Sequence, residues 1–551
     1  MKNKLILSLA VLLFAISYGC KKASLNQLDV TTTGMANSKS SDFLLTETDI
    51  GKKLDNPYTV ANMRKALANL ATKGDVKKVE NLIATTHYYI KFMPKDEAQY
   101  DLLKVDSNLV IYPFPLDVKL SKNNKGNYRE PGLPDGVPTY QYAAVPVGYK
   151  LPKVGYEVLA DLYLPNERMS SSKVAANSLR SLGAPGVTVK GLVNEAERMV
   201  AATNGFEEEL PPGDDGGYGG GGGGGGGSTC GAPIGEWRPS GRMTMTDDVR
   251  GSIGVEGLKI RAYRWFTTYI GFTDANGNYC VDGTFTRPAN YWFDFERYEF
   301  SVNHNAGGPR EISGPKIEGP WNKDFTGYDK FCATIFRAAF HYYYGDIQGL
   351  RRPPENSFFN GFQMKIGAYT DNDVNNTSPA RLILNLQMIH IFTHPGESSD
   401  ETYATTIHEL AHAVHWNMYA SSGWTITNTY TQTSLTVCES WATGVQYVLT
   451  RMVYLNYKGR WCNFGDDYKN VIMDMIDTPA EITYYQPNNY GFTNYGYASP
   501  QDEVEGYTIV QIQDALIDQT SWLDWRNNIK NLYNNGTENN LDALFNVWSN
   551  H

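Results

Sequence analysis

Ser398–Met418 reads SSDETYATTIHELAHAVHWNM. Ser398 followed three residues later by Glu401 is a capping-box signature, so a helix is expected to start there. Ile407, Ala411, Val414 and Met418 recur at helical spacing and form one stripe to bury. His408 and His412, four apart, lie on a neighbouring stripe. Their imidazoles therefore face the same way and are close enough to share one ion. Glu409 stands beside the first of them. The helix is expected to stop before Gly423.

Two such imidazoles suit zinc, which accepts neutral imidazole readily and in catalytic sites keeps three protein ligands and one open position. Glu409 would then be placed to take a proton from water and pass it to a leaving amine. With 9 His in 551 residues, His-Glu-x-x-His is expected by accident well under once. The next apolar segment, Leu435–Met452 (LTVCESWATGVQYVLTRM), reads as a second helix with Glu439, Thr443 and Gln446 on one face. A carboxylate in so apolar a setting is costly unless it is paired or coordinated. The gap between the two segments leaves room for one loop and a return pass.

Region 380–450 resembles the gluzincin metallopeptidases, the thermolysin-like class, on His408, Glu409 and His412 and on Glu439 within Glu439-Ser440-Trp441-Ala442. The resemblance implies Glu439 as third metal ligand, one catalytic Zn2+, and hydrolysis of peptide bonds by water that Glu409 activates. It also implies an edge strand that pairs with extended substrate, for which Ala380–Thr393 is well placed. Some gluzincins carry an Asp four residues after the Glu ligand. Thr443 stands there instead, so a different set of residues must orient the ligands. The metzincin pattern HExxHxxGxxH is excluded, because His415 and Met418 occupy its Gly and last His positions. His415 reads as a cleft-lining neighbour or as an awkward further ligand. Candidate donors to a developing oxyanion are Tyr485, Tyr490, Tyr495, Tyr497 and Tyr507, with none singled out. His341, His390 and His394 receive no metal role.

The rest of the chain sets the context. Hydrophobic residues are 41% and aromatics 13%, enough for packed domains, and a net charge of -10 argues against a nucleic-acid binder. Residues 1–20 read as a signal peptide: Lys2 and Lys4, the apolar run Leu5–Ile16, then Ser17-Tyr18-Gly19-Cys20. This resembles a bacterial lipoprotein signal, which implies lipid attachment at Cys20 and a membrane anchor in the cell envelope. The alternative is an ordinary secretory signal with an incidental Cys, and both imply export. Cys230, Cys280, Cys332, Cys438 and Cys462 leave disulfide pairing open, with Cys438 and Cys462 near enough in sequence for a bridge.

The expected fold class is multidomain α+β. Residues 21–45 read as a flexible tether and 46–170 as an N-terminal α+β domain. Residues 171–232 read as a helix and a Gly-rich linker around Gly219–Gly227, and 233–310 as a small β-sandwich. Residues 311–551 are expected to form a mostly helical zincin domain. Tyr291–Val302 (YWFDFERYEFSV) is expected to be one half-buried strand. Ile260–Tyr279 (IRAYRWFTTYIGFTDANGNY) resembles the carboxypeptidase-regulatory-like, or transthyretin-like, β-sandwich, which implies a support or adhesion module. Two functions follow from the whole: a zinc peptidase acting on protein or peptide substrates, or a non-catalytic adhesion lipoprotein on a peptidase fold. A purely structural role leaves Glu439 unexplained.

Overall fold

The computed structural model describes residues 50–70, 83–120, 128–134, 136–165, 187, 189–205, 230–304, 308–356, 363–370, 388–393, 396–419, 432–457, 467–476 and 503–550. The signal peptide with Cys20, the tether, the glycine run, most of Ala380–Thr393 and Cys462 lie outside them. The chain divides into two compact units, Leu45–Phe340 with Glu355–Ala368, and His341–Pro354 with Tyr369–His551.

The first unit opens with β1 (Ile50–Lys53), which pairs antiparallel with β3 (Val118–Leu120). Between them α1 (Val60–Leu70) buries Met63, Ala66 and Leu67, the stripe its periodicity requires. β2 (His87–Phe92) is the centre of an antiparallel sheet, flanked by β4 (Gln141–Pro146) and β5 (Tyr156–Leu162). α2 (Glu97–Lys104) is capped by Asp96, whose carboxylate accepts from the Gln99 amide at 2.9 Å. α3 (Val189–Asn204) buries Leu192 and Ala196 in the same core as Met63 and Leu67. Glu197 on this helix also pairs with Arg264, at 2.5 Å, and with Arg287, on the far side of the glycine run.

Two four-stranded sheets follow. One orders β10 (Asn278–Cys280), β6 (Ser240–Asp247) and β14 (Lys323–Phe325), with β7 (Gly251–Gly254) also on β6. The other orders β13 (Glu311–Ile317), β11 (Ala289–Asp294), β8 (Lys259–Arg264) and β9 (Thr267–Phe272). Aromatic side chains fill the space between the sheets: Tyr279 meets Tyr291, Phe325 meets Phe293, and Trp321 packs on both Tyr291 and Phe293. A disulfide joins Cys230 to Cys280.

The turn Thr273–Tyr279 holds its shape through Asp274, whose carboxylate accepts from the Asn276 and Asn278 amides at 2.9 and 2.8 Å. Gly277 has φ +80, and a Cβ there would lie 2.0 Å from the Met243 carbonyl oxygen. Gly277→Ala should therefore cost roughly 2–4 kcal/mol, from the left-handed backbone and the overlap together. Chemical denaturation of the full chain reads this, and a change under about 0.5 kcal/mol would remove the steric account.

The expectation of a mostly helical region after residue 310 is corrected: the chain is a mixed α/β protein, with sixteen strands and ten α-helices among the described residues. β13 and β14 complete the two sheets, β13 antiparallel to β11 and β14 parallel to β6. β15 (Met364–Tyr369) pairs in parallel with β12 (Phe300–His304) and is buried at every position. A strand buried on both faces loses the alternation that distinguishes it from a buried helix. Tyr291–Val302 is likewise not one strand. The chain reverses after β11, where the Arg297 amide donates to the Phe300 carbonyl and the Val302 amide to the Phe295 carbonyl, both at 2.8 Å. α4 (Gly327–Tyr344) then packs Phe336 on Phe295 and Phe300.

The second unit holds β16 (Met388–Phe392), α5 (Ser399–Met418), α6 (Leu435–Val453), α7 (Val471–Ile476), α8 (Ile509–Leu516), α9 (Trp522–Leu532) and α10 (Leu541–Asn550). α5 packs along α6 and also lies beside β16. Phe545 of α10 packs on Trp522 and Trp525 of α9. No helix among the described residues is long and apolar enough to cross a membrane.

Candidate metal centre

α5 begins as its sequence dictates, with Ser398 and Glu401 forming the capping box. Ile407, Ala411, Val414 and Met418 are all buried, which anchors the helix and fixes its rotation. That rotation turns His408 and His412 toward α6, their rings at 85° to each other with centroids 4.8 Å apart.

Glu439, in the second turn of α6, meets both imidazoles. His408 Nε2 and His412 Nε2 are 3.1 Å apart, and Glu439 Oε2 lies 3.1 Å from the first and 3.3 Å from the second. All three residues are buried, with Glu439 only 3% exposed. Ligand atoms about 2.0–2.1 Å from a tetrahedral zinc stand about 3.3 Å from one another, so this triangle has the size of one face of such a site. Two nitrogens and a carboxylate oxygen are also a donor set that zinc favours.

The charges of the three groups are coupled. Burial opposes ionisation of Glu439, but the neighbouring imidazoles outweigh it and hold the carboxyl well below the usual carboxylate range. Burial lowers the His408 pKa, which favours neutral imidazole despite the Glu439 hydrogen bond. Glu409 is also buried, about a hundred degrees round the helix from His408.

Gln446 and Tyr468 flank His408, and Tyr457 backs the glutamine. His408 Nδ1 lies 3.0 Å from Gln446 Oε1, and Gln446 Nε2 donates to the Tyr457 hydroxyl at 2.7 Å. The Tyr468 ring lies beside the imidazole, with centroids 5.8 Å apart. Tyr468 is held there by its neighbours. Thr436 donates to Asp467 at 2.6 Å, and the Lys469 amide donates to Ser440 Oγ at 3.0 Å. Gln446 shares the face of Glu439 and was open to inference. Tyr457 and Tyr468 lie beyond the helix in segments with no periodic signal.

His415 is turned elsewhere. Its Nε2 is 3.0 Å from the Tyr419 hydroxyl, which itself donates to the Gln519 carbonyl at 2.6 Å. Burial pushes its pKa down to about 3, so it is a neutral core histidine. His341 sits between the Tyr403 hydroxyl, 2.6 Å from Nδ1, and the Asp346 carbonyl, 2.8 Å from Nε2. His390 packs its ring on Tyr369, and His394 lies outside the described residues. Among the tyrosine candidates Tyr485, Tyr490, Tyr495 and Tyr497 also lie outside them, whereas Tyr507 is buried, its amide donating to the Met475 carbonyl at 3.0 Å. Of the substrate-strand candidate, Met388–Phe392 is a strand.

No known protein family matches this sequence, and no curated protein and no solved structure matches it either.

Proposed function

We propose that the chain is an exported zinc peptidase, tethered to the bacterial cell envelope through a lipid on Cys20, that hydrolyses peptide bonds of extracytoplasmic proteins or peptides. The single observation that carries the reading is the buried triangle of His408, His412 and Glu439, with Glu409 next in sequence to the first of them. The resemblance of this region to gluzincins supports it.

A bound zinc would supply Lewis acidity, acidifying a water molecule and polarising the scissile carbonyl. His408, His412 and Glu439 would hold it. Glu409 removes a proton from the attacking water as the new carbon–oxygen bond forms. It then delivers that proton to the leaving amine nitrogen as the carbon–nitrogen bond breaks, which restores the carboxylate. Burial excludes bulk water, and this strengthens each electrostatic contact among these groups. The rival reading, a non-catalytic adhesion lipoprotein, draws on the β-sandwich. It gives no role to a carboxylate beside the first imidazole.

Elemental analysis and a proteolysis assay test the proposal. The purified chain is expected to carry about one zinc and to cleave an unfolded protein. A strong chelator should stop cleavage, and added zinc should restore it. Cleavage that persists in the metal-free protein would sink the reading.

A further inference from the structure

We infer that Gln446, steadied by Tyr457, is a positioning residue that orients His408 as a metal ligand by accepting a hydrogen bond from its Nδ1. This deepens the zinc reading and rests on it. Ligating imidazoles generally donate their second ring N–H to an acceptor, which fixes tautomer and ring orientation. For His408 that acceptor is an amide oxygen, Gln446 Oε1, 3.0 Å from Nδ1.

An amide has two ends, and only one serves. With oxygen toward His408, a proton on Nδ1 has an acceptor, which leaves the Nε2 lone pair for a metal ion. With the NH2 group turned inward, Nδ1 must accept. The proton then moves to Nε2 and blocks the donor. Tyr457 steadies the other end of the amide, its hydroxyl accepting from Gln446 Nε2 at 2.7 Å. Both partners are held in place: Gln446 is buried on α6, and the Tyr457 amide donates to the Tyr454 carbonyl at 2.8 Å, just beyond the helix.

Glu439 and Gln446 lie seven residues apart on α6, two turns along one face. One helix face therefore supplies both a ligand and the residue that orients another ligand. Thr443 between them does not share the task, since its buried hydroxyl has no hydrogen-bond partner among the described residues.

The test is zinc affinity, measured by competition with a chromophoric chelator on the full chain. Gln446→Met keeps the length and loses the acceptor, and should weaken binding by about 10–100-fold. Gln446→Glu keeps an oxygen for Nδ1 and should stay within about threefold of the unsubstituted protein. Tyr457→Phe should fall between them. Equal affinity in Gln446→Met and the unsubstituted protein overturns the inference and leaves the zinc reading standing. So does an equal loss in the Met and Glu variants. An unsubstituted protein that takes up no zinc overturns both.

Discussion

Glu409→Gln is expected, like the unsubstituted protein, to bind about one zinc per chain, and to lose peptide hydrolysis. The substitution preserves size and leaves His408, His412 and Glu439 untouched. It removes only the group proposed to accept the proton of the attacking water. General base catalysis contributes about 10²–10⁴-fold, and here the same carboxylate also returns the proton to the amine, so the fall in kcat should reach the top of that range. KM should change little, because the lost interaction forms as the water is deprotonated. Metal content and single-turnover cleavage, measured on the same preparation, separate chemistry from metal loss. Undiminished turnover in the variant would remove Glu409 from the mechanism.

Glu439→Ala should show the opposite pattern, in which the metal itself is lost. Two imidazoles remain, short of the three protein ligands that catalytic zinc sites keep. Thermal unfolding gives the larger readout. Zinc at a thousandfold excess over its Kd stabilises a protein by about 4 kcal/mol. For a unit of about 150–250 residues that raises Tm by roughly 8–16 °C. The unsubstituted chain should show this rise on adding zinc and its loss on chelation, and Glu439→Ala should show neither. A variant that retains zinc stoichiometrically would separate Glu439 from the ligand set.

The two substitutions probe two kinds of legibility. Everything that defines α5 is local. A cap at Ser398, an apolar stripe from Ile407 to Met418 and a four-residue repeat between His408 and His412 can all be read without knowing what surrounds them. α1 and α2 follow from equally local signals, a stripe of Met63, Ala66 and Leu67 and a cap at Asp96. Three strands after residue 310 were not legible in this way. β13, β14 and β15 are specified by partners remote in sequence, namely β11, β6 and β12. The reversal between Phe295 and Val302 was equally hidden, since Glu296–Phe300 (ERYEF) contains no Gly, Pro or Asn to mark a turn.

The sequence by itself determined the two helices, the face each presents, and the types of side chain available on those faces. It determined that His408 and His412 act as a pair, because a covalent helix repeat places them. Only the tertiary structure decided that Glu439 Oε2 closes the triangle, that Gln446 turns its oxygen to His408, and that His415 faces Tyr419 instead. The reason is physical. Helical periodicity sets direction around one axis, whereas the approach and rotation of one helix against another come from packing a whole core.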